Sequence, residues 1–392
     1  MLNISSTTQL DDLLENHAQW DALSNGIPFR QSAWLGNWWN HFSKKKRACV
    51  LLAQDSSGTL RGILPLFRSA QAGRDRTFTM IGGGDACSDY VSILADPNHA
   101  RDVGKHMGQH LGKTATDPIE GWDLIDIDGV VQGDDAMAAF ALGLTESGVM
   151  LRAESRMHTW FVPRADSFAD QLKRYGKTQR RQMRRAAEKI TEDGPLQRII
   201  ARTEQDVERL LNAVIELHQK RWEAEGRAGS YADPEFRRFM LDAAKAFLNQ
   251  DQLYLVCLQQ EGKIVGGELN FLGQDQILYS FTSGYDLNAS ELGPGRILRV
   301  DAFLQMYEQQ WRGIDYLRGD ETYKHRLASV SRPIMRVRAF APTLLPKLRH
   351  AACCTGFEFK QWMRRKTGRS PIQICDLTAM GSMTSPSASS SH

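Results

Sequence analysis

The sequence predicts a mixed α/β protein of two domains, and three observations carry that prediction. At 392 residues the chain is longer than one hydrophobic core ordinarily organises. Its apolar spacing switches repeatedly between a period of two and a period near 3.6. One stretch, residues 279–324, places a strand, a glycine turn, a helix and a second strand in immediate succession.

Composition narrows the class. The chain is 42% hydrophobic and 24% charged, ordinary for a soluble globular protein. A net charge of +3 is too small to argue for bulk nucleic-acid binding. Cys49, Cys87, Cys257, Cys353, Cys354 and Cys375 form no CxxC pair and sit in no histidine-rich frame. No metal is therefore expected, and the thiols read as reduced, in a cytoplasmic protein. Asp11, Asp12 and Glu15 interrupt the first twenty residues, so no signal peptide is expected. No apolar run approaches the roughly 20 residues of a membrane helix.

The first domain is predicted over 1–165. Helices are expected at 7–20 and 31–43, with Ser32 as a cap of the second. Trp34, Trp38 and Trp39 crowd that second helix, either as core or as the lining of a groove. Alternation predicts strands at 48–54 and 60–67 around a Ser56-Ser57-Gly58 turn. A strand at 78–81 leads into Gly82-Gly83-Gly84-Asp85, a bulge, a loop or a close approach to a ligand. Another strand is expected at 90–94. Helices near 99–113 and 134–147, with strands at 122–127 and 149–162, complete the domain.

The second domain is predicted over 166–342, followed by a basic and then Ser-rich tail, 343–392, with a short helix at 357–362 and disorder at the end. Its first helix, 168–190, carries Leu172, Tyr175, Met183 and Ala186 on one stripe. Arg181, Arg184 and other basic residues cover the opposite side. That basic side is either a solvated face or a surface for an anionic substrate, with Arg181 and Arg184 as candidate contacts. A helix at 203–223 opens on Thr203 with acidic residues in its first turn. His218, Arg221 and Trp222 fall on its inner stripe, where each needs a partner. Residues 226–231 read as a mobile loop, and Asp233-Pro234 as the start of a helix to about 249. Strands at 253–259 and 263–272 form a hairpin about Gln260-Glu261-Gly262, and 277–285 is a third strand.

Gly293-Pro294-Gly295 then precedes a helix whose apolar face is Ile297, Val300, Leu304, Tyr307 and Trp311. Gly-Pro-Gly is often no more than a tight turn. Ahead of a helix it also lets the backbone approach an anion, toward which free N–H groups point. Arg296 adds a positive charge there. The strand at 314–317 runs into Arg318-Gly319-Asp320-Glu321-Thr322-Tyr323-Lys324, a dense polar cluster where sites form in α/β proteins. A last strand is expected at 331–340.

These residues carry a resemblance. LHQKRW (217–222), GELNF (267–271), YSFTSGYD (279–286), GPGRIL (293–298) and YLRGDETYK (316–324) resemble the CelD-type acyltransferases. The resemblance implies the GNAT fold, two GNAT-like domains in tandem as in FemAB transferases, and an acyl-CoA donor, acetyl-CoA first among them. It implies an acceptor in cellulose or other exopolysaccharide biosynthesis, and association with a membrane polysaccharide-synthesis complex.

Acyl transfer needs a held donor, a base, an oxyanion site and an acid for the leaving thiolate. Gly293, Gly295, Arg296 and Lys324 are the candidates for the donor's phosphates. Asp320, Glu321 and His218 are the candidate bases. Tyr285 and Tyr323 are the candidate acids. Arg221 and Trp222 are candidate substrate contacts. Two other readings remain: a Fem-like transferase using aminoacyl-tRNA, and a GNAT-fold module that only binds.

Overall fold

The computed structural model describes residues 2–69, 76–84, 88–189, 196–289, 291–327, 330–367 and 372–374. Asp85, Cys87, Cys375 and the Ser-rich end lie outside them. The chain divides into unit 1 (Met1–Asn25, Phe29–His158 and Arg332–His392) and unit 2 (Gly26–Pro28 and Thr159–Ser331).

Unit 1 begins with β1 (Asn3–Thr7), α1 (Leu10–Glu15), α2 (His17–Ala22) and α3 (Ser32–Phe42). The single helix expected at 7–20 is thus a strand and two short helices. Asn16 separates the helices, its side chain accepting from the Gln19 N–H. Gln31, not Ser32, is the N-cap of α3; Ser32 donates instead to Asp21. Trp34 and Trp38 are fully buried in the core, whereas Trp39 is half-buried.

The unit continues with β2 (Lys46–Gln54), β3 (Leu60–Ser69), β4 (Thr77–Met80), β5 (Leu94–Ala95), α4 (Ala100–Thr114), β6 (Leu124–Val131) and α5 (Asp135–Glu146). Of the strand expected at 90–94 only Leu94 lies in a strand, β5; Tyr90 turns the chain with φ 60°. Helices α4 and α5 approach closely: a Cβ at Gly104 or Gly108 would overlap carbonyls of Ala136 or Phe140.

The last strand did not fall where the sequence placed it. β13 (Val330–Phe340) pairs antiparallel with β6, Ile334 opposite Val131 and Phe340 opposite Leu124. It adds Met335, Val337 and Ala339 to the core of unit 1. Arg336 binds Asp126 through both oxygens on that register. The expected boundary at 342 is therefore corrected to about 331. α12 (Leu344–Lys366), far longer than the short helix expected at 357–362, also belongs to unit 1. The sheet order in unit 1 is β1-β2-β3-β4-β6-β13 and then the first part of β7 (Met150–Pro163).

Unit 2 takes the rest of β7, then α6 (Phe168–Lys173), α7 (Lys177–Ala187), β8 (Gln197–Ile200), α8 (Glu204–Ala224), α9 (Pro234–Leu248), β9 (Leu253–Gln260), β10 (Lys263–Leu272), β11 (Ile277–Tyr285), α10 (Pro294–Glu308), β12 (Gly313–Arg318) and α11 (Thr322–His325). The basic helix expected over 168–190 is two helices, broken where Gly176 turns extended as the N-cap of α7; Ile190 lies outside the described residues. Thr203 and Asp233 cap α8 and α9 as their sequences predict. The loop at 226–231 ends on Tyr231, whose side chain is fully buried.

Strands run in the order β8-β9-β10-β11-β12, with the end of β7 on β12. All neighbours are antiparallel except β11 and β12. That parallel pair is short: Ile277, Leu278 and Tyr279 face Gly313, Ile314 and Asp315, and pairing stops. β12 bends there because Leu317 is left-handed, φ 55°. Its N–H turns to Asp315 Oδ1 at 2.7 Å instead of joining a ladder. The far half of β11 therefore keeps one edge that β12 does not pair.

Candidate active site

Glycines show which helix covers each face of this sheet. A Cβ at Gly284 would meet the Val214 carbonyl and the His218 N–H, so α8 lies against that face. A Cβ at Gly266 would stand 3.0 Å from Pro294 and 3.4 Å from Leu298, so α10 lies against the other. Successive strand residues alternate faces. Glu268, two residues beyond Gly266 and opposite Ser283, therefore faces the α10 side.

The start of α10 is open. Gly293 is its N-cap with φ 69°, a left-handed conformation that glycine adopts freely, and it offers no capping side chain. Pro294 has no N–H. The N–H groups of Arg296 and Ile297 already bond to the Gly293 carbonyl, which leaves that of Gly295 to point outward. A Cβ at Gly295 would touch the Tyr285 ring at 3.5 Å.

Beside this helix is a cavity of about 480 Å³. Arg296 and Arg299 of α10 line it with Arg326, which follows α11. Thr178, Gln179 and Gln182 of α7 form the facing wall, above an apolar floor of Met183, Val300 and Leu327. Among the described residues, none of the three guanidiniums is in an ion pair. Three cations without carboxylate partners among the described residues give this cavity a positive potential that suits an anion.

Arg299 also links the cavity to the sheet. It lies 4.7 Å from the centroid of the Tyr323 ring, and Tyr323 meets Tyr316 edge to face at 6.2 Å. The Tyr316 hydroxyl is buried and has no hydrogen-bond partner among the described residues. Burial pushes the Glu268 carboxyl up to about 7, against the opposing pull of Arg299. A buried carboxylate that titrates near neutrality in the field of an arginine is suited to general base catalysis.

The structure brings Gly293, Gly295 and Tyr285 together at the start of α10, and Arg296 and Tyr323 together along the cavity beside it. Arg221, at the end of α8, reaches the same region, 5.5 Å from the centroid of the Tyr285 ring. Other candidates are placed differently. Lys324 is buried and donates to the carbonyls of Arg318 at 2.7 Å and Leu317 at 3.4 Å, and pairs with Glu321 at 3.0 Å. It ties down the end of β12 and is not aimed at a donor. Glu321 and Asp320 are exposed. His218 packs on the α8 face, where its Nε2 accepts from Trp222 Nε1 at 2.7 Å. Burial drops its pKa to about 4, so it is neutral at pH 7. Trp222 is thereby a partner of His218. Arg181 and Arg184 are exposed and line no part of the cavity, whose α7 wall is Thr178, Gln179 and Gln182.

Sequence reasoning overlooked Glu268, Arg299 and Tyr316. A signal for the first was present: a carboxylate inside the otherwise apolar run of β10 is anomalous in a buried strand.

Comparisons with known proteins bear on the fold that carries these residues. Residues 177–325 match the family described as an acetyltransferase (GNAT) domain. The fold is similar to the crystal structure of FemX, with TM-score 0.59 at 10% identity, over 82% of this chain and 95% of that one. It is also similar to the C-terminal domain of a putative lysylphosphatidylglycerol synthetase from Agrobacterium fabrum, with TM-score 0.51 at 12% identity, over 88% and 96%. A conserved protein of unknown function from Bacteroides thetaiotaomicron gives TM-score 0.50 at 14% identity, over 87% and 100%. No curated protein sequence matches the chain. No helix among the described residues is long and apolar enough to cross a membrane. Residues 177–325 are a GNAT-type acyltransferase domain.

Proposed function

We propose that unit 2 moves an acyl group, acetyl first among candidates, from acyl-CoA to an amine or hydroxyl of a sugar or other cell-envelope precursor. This is the reaction class of the CelD-type proteins that the sequence resembles. One observation carries the reading: a buried carboxylate poised near neutrality, Glu268, lies in the field of Arg299, one of three guanidiniums, none in an ion pair among the described residues, that line a cavity beside α10.

In this reading Arg296, Arg299, Arg326 and the Gly295 N–H hold the donor's phosphates. The pantetheine arm enters the gap where β11 and β12 part. Glu268 takes the proton of the acceptor, directly or through one water, as the acceptor attacks the thioester carbonyl. The unpaired edge of β11 offers backbone N–H groups to the tetrahedral oxyanion. Collapse breaks the carbon–sulfur bond, and Tyr323, with Tyr285 as the alternative, gives a proton to the thiolate. Glu321 and Asp320 stand at the exposed end, where they suit contact with a hydroxyl-rich acceptor.

Calorimetric titration with a panel of acyl-CoAs tests this. Binding is expected, and Gly295→Val should abolish it while leaving the melting temperature close to wild type. No heat with any acyl-CoA would remove the reading. The exposed arginines of α7 favour a second reading, a Fem-like transfer from aminoacyl-tRNA. A gel shift with aminoacyl-tRNA, together with silence toward acyl-CoA, would replace the first reading with the second.

A further inference from the structure

Unit 1 has a cavity of its own, about 380 Å³, beneath the C-terminal half of α4. Its floor is apolar: Leu51 and Leu66 from neighbouring strands, Phe78 from β4 and Leu111 from α4. The half-buried thiol of Cys49 sits among them. This volume falls within the range of small-molecule sites.

The wall above that floor holds an unfavourable arrangement. Arg47 on β2 and Arg68 on β3 are directly opposite in the antiparallel register. Like charges at such a pair destabilise a sheet. The chain could have put a carboxylate across from either one. Instead Arg68 is held in place by neutral groups. Its Nη1 donates to the Gly121 carbonyl at 3.2 Å, its Nη2 to the Glu120 carbonyl, and its guanidinium lies 4.1 Å from the Phe78 ring centroid. Its Nε is buried and has no hydrogen-bond partner among the described residues. Burial weakens Arg68 as a cation, and the charges of Arg76 and Arg47 act in the same direction. The Glu120 carboxylate offsets part of this charge, and Arg76 has its own partner in Asp123 at 3.1 Å. Arg47 has no ion-pair partner among the described residues and is exposed.

A cation fixed by neutral carbonyls, with a second cation directly across the strand, suits an external anion. The apolar floor calls for a hydrocarbon or aromatic body attached to it. We propose that this cavity binds a small amphiphile: an anionic head, carboxylate or phosphate, between Arg47 and Arg68, and an apolar body against Leu51, Leu66 and Phe78. The site is independent of the acyl-transfer chemistry of unit 2.

Cys49 provides the readout. The full-length protein is alkylated with N-ethylmaleimide, and the rate at each cysteine is followed by peptide mass spectrometry. Octanoate and octyl phosphate are the anionic probes and octanol the neutral control. At about ten times its Kd, a bound probe should slow alkylation of Cys49 about tenfold. Cys353 and Cys354 should react at unchanged rates. The more protective head group identifies the natural one. Arg47→Ala, at an exposed position, should weaken binding roughly tenfold by removing a charge-assisted contact, which at the same probe concentration leaves only about twofold protection, and Arg47→Lys should restore part of it. Glu268→Gln should leave protection intact, which separates this site from the catalytic reading. Failure of both anionic probes to protect Cys49, or equal protection by octanol, would overturn the proposal.

Discussion

The Arg299 guanidinium lies 4.7 Å from the centroid of the Tyr323 ring, and this contact joins two parts of the candidate site. Tyr323 is on α11, after the bend of β12; Arg299 is on α10, one turn from Arg296. The ring face steadies a cation that would otherwise wave in the cavity. The same cation is the charge that opposes the upward shift of Glu268. In the proposed reading, one side chain therefore bears on both donor binding and base strength.

Glu268→Gln should lower kcat by about 10²–10⁴ with little change in KM for the donor. In the wild type the carboxylate must be ionised to accept a proton, so the rate should rise with pH through about 7. The variant should lose that limb. A wild-type pH profile in the variant would exclude Glu268 as the base.

The same group makes stability depend on pH in a definite direction. Its folded pKa, about 7, lies above the ordinary 4.5. The stabilisation that comes with its proton is therefore complete below about 4.5 and is lost as pH rises through about 7. Gln has no such loss. The variant should be more stable than wild type at pH 8, by up to about 3 kcal/mol, and the difference should vanish at pH 4. Melting curves across that range test it.

Arg299→Gln should move the pH midpoint of kcat upward by about one unit, because the opposing charge has gone. It should also weaken donor binding. Arg299→Lys should recover most of the midpoint and less of the affinity, since an ammonium restores charge but not the planar fork. A structural role alone would leave the midpoint where it was.

His218→Ala should act on stability and not on chemistry. The substitution leaves the Trp222 N–H without its acceptor and empties space beside the buried Tyr231 ring, whose centroid is 5.1 Å away. A cost of about 2 kcal/mol is expected, with kcat within about twofold of wild type. A collapsed kcat at an unchanged melting temperature would restore His218 to the catalytic set that its sequence position suggests.

A chain ending at residue 331 should fail to give a native unit 1. It lacks β13, the neighbour of β6, and with it Met335, Val337 and Ala339 of the core. An exposed, apolar strand edge promotes association. Loss of cooperative melting together with strong dye binding is the expected result; a sharp two-step transition would contradict it.

These residues also mark what could be read in the sequence. The glycine loop, the start of α10 and the caps Thr203 and Asp233 were legible because each is a local event with a local residue signature. The break at Gly176 had such a signature too, but the continuous apolar stripe from Leu172 to Met183 masked it. The placement of β13 was not legible, since Ile334 meets Val131 across two hundred residues of intervening chain and alternation fits either unit equally. Glu268 needed the same long-range information. Its surroundings include Arg299, Tyr316 and Tyr323, which interact with it electrostatically from two helices and another strand. Lys324 and His218 were misjudged for the converse reason: polar residues near a site look functional until their hydrogen-bond partners are visible.

The late arrival of β13 has a consequence for biosynthesis. A ribosome extrudes every residue of the catalytic half before it delivers the strand that closes the sheet of the other half. Emergence order and tertiary order are therefore inverted: the nascent strands of unit 1 wait for a neighbour of β6 until β13 follows.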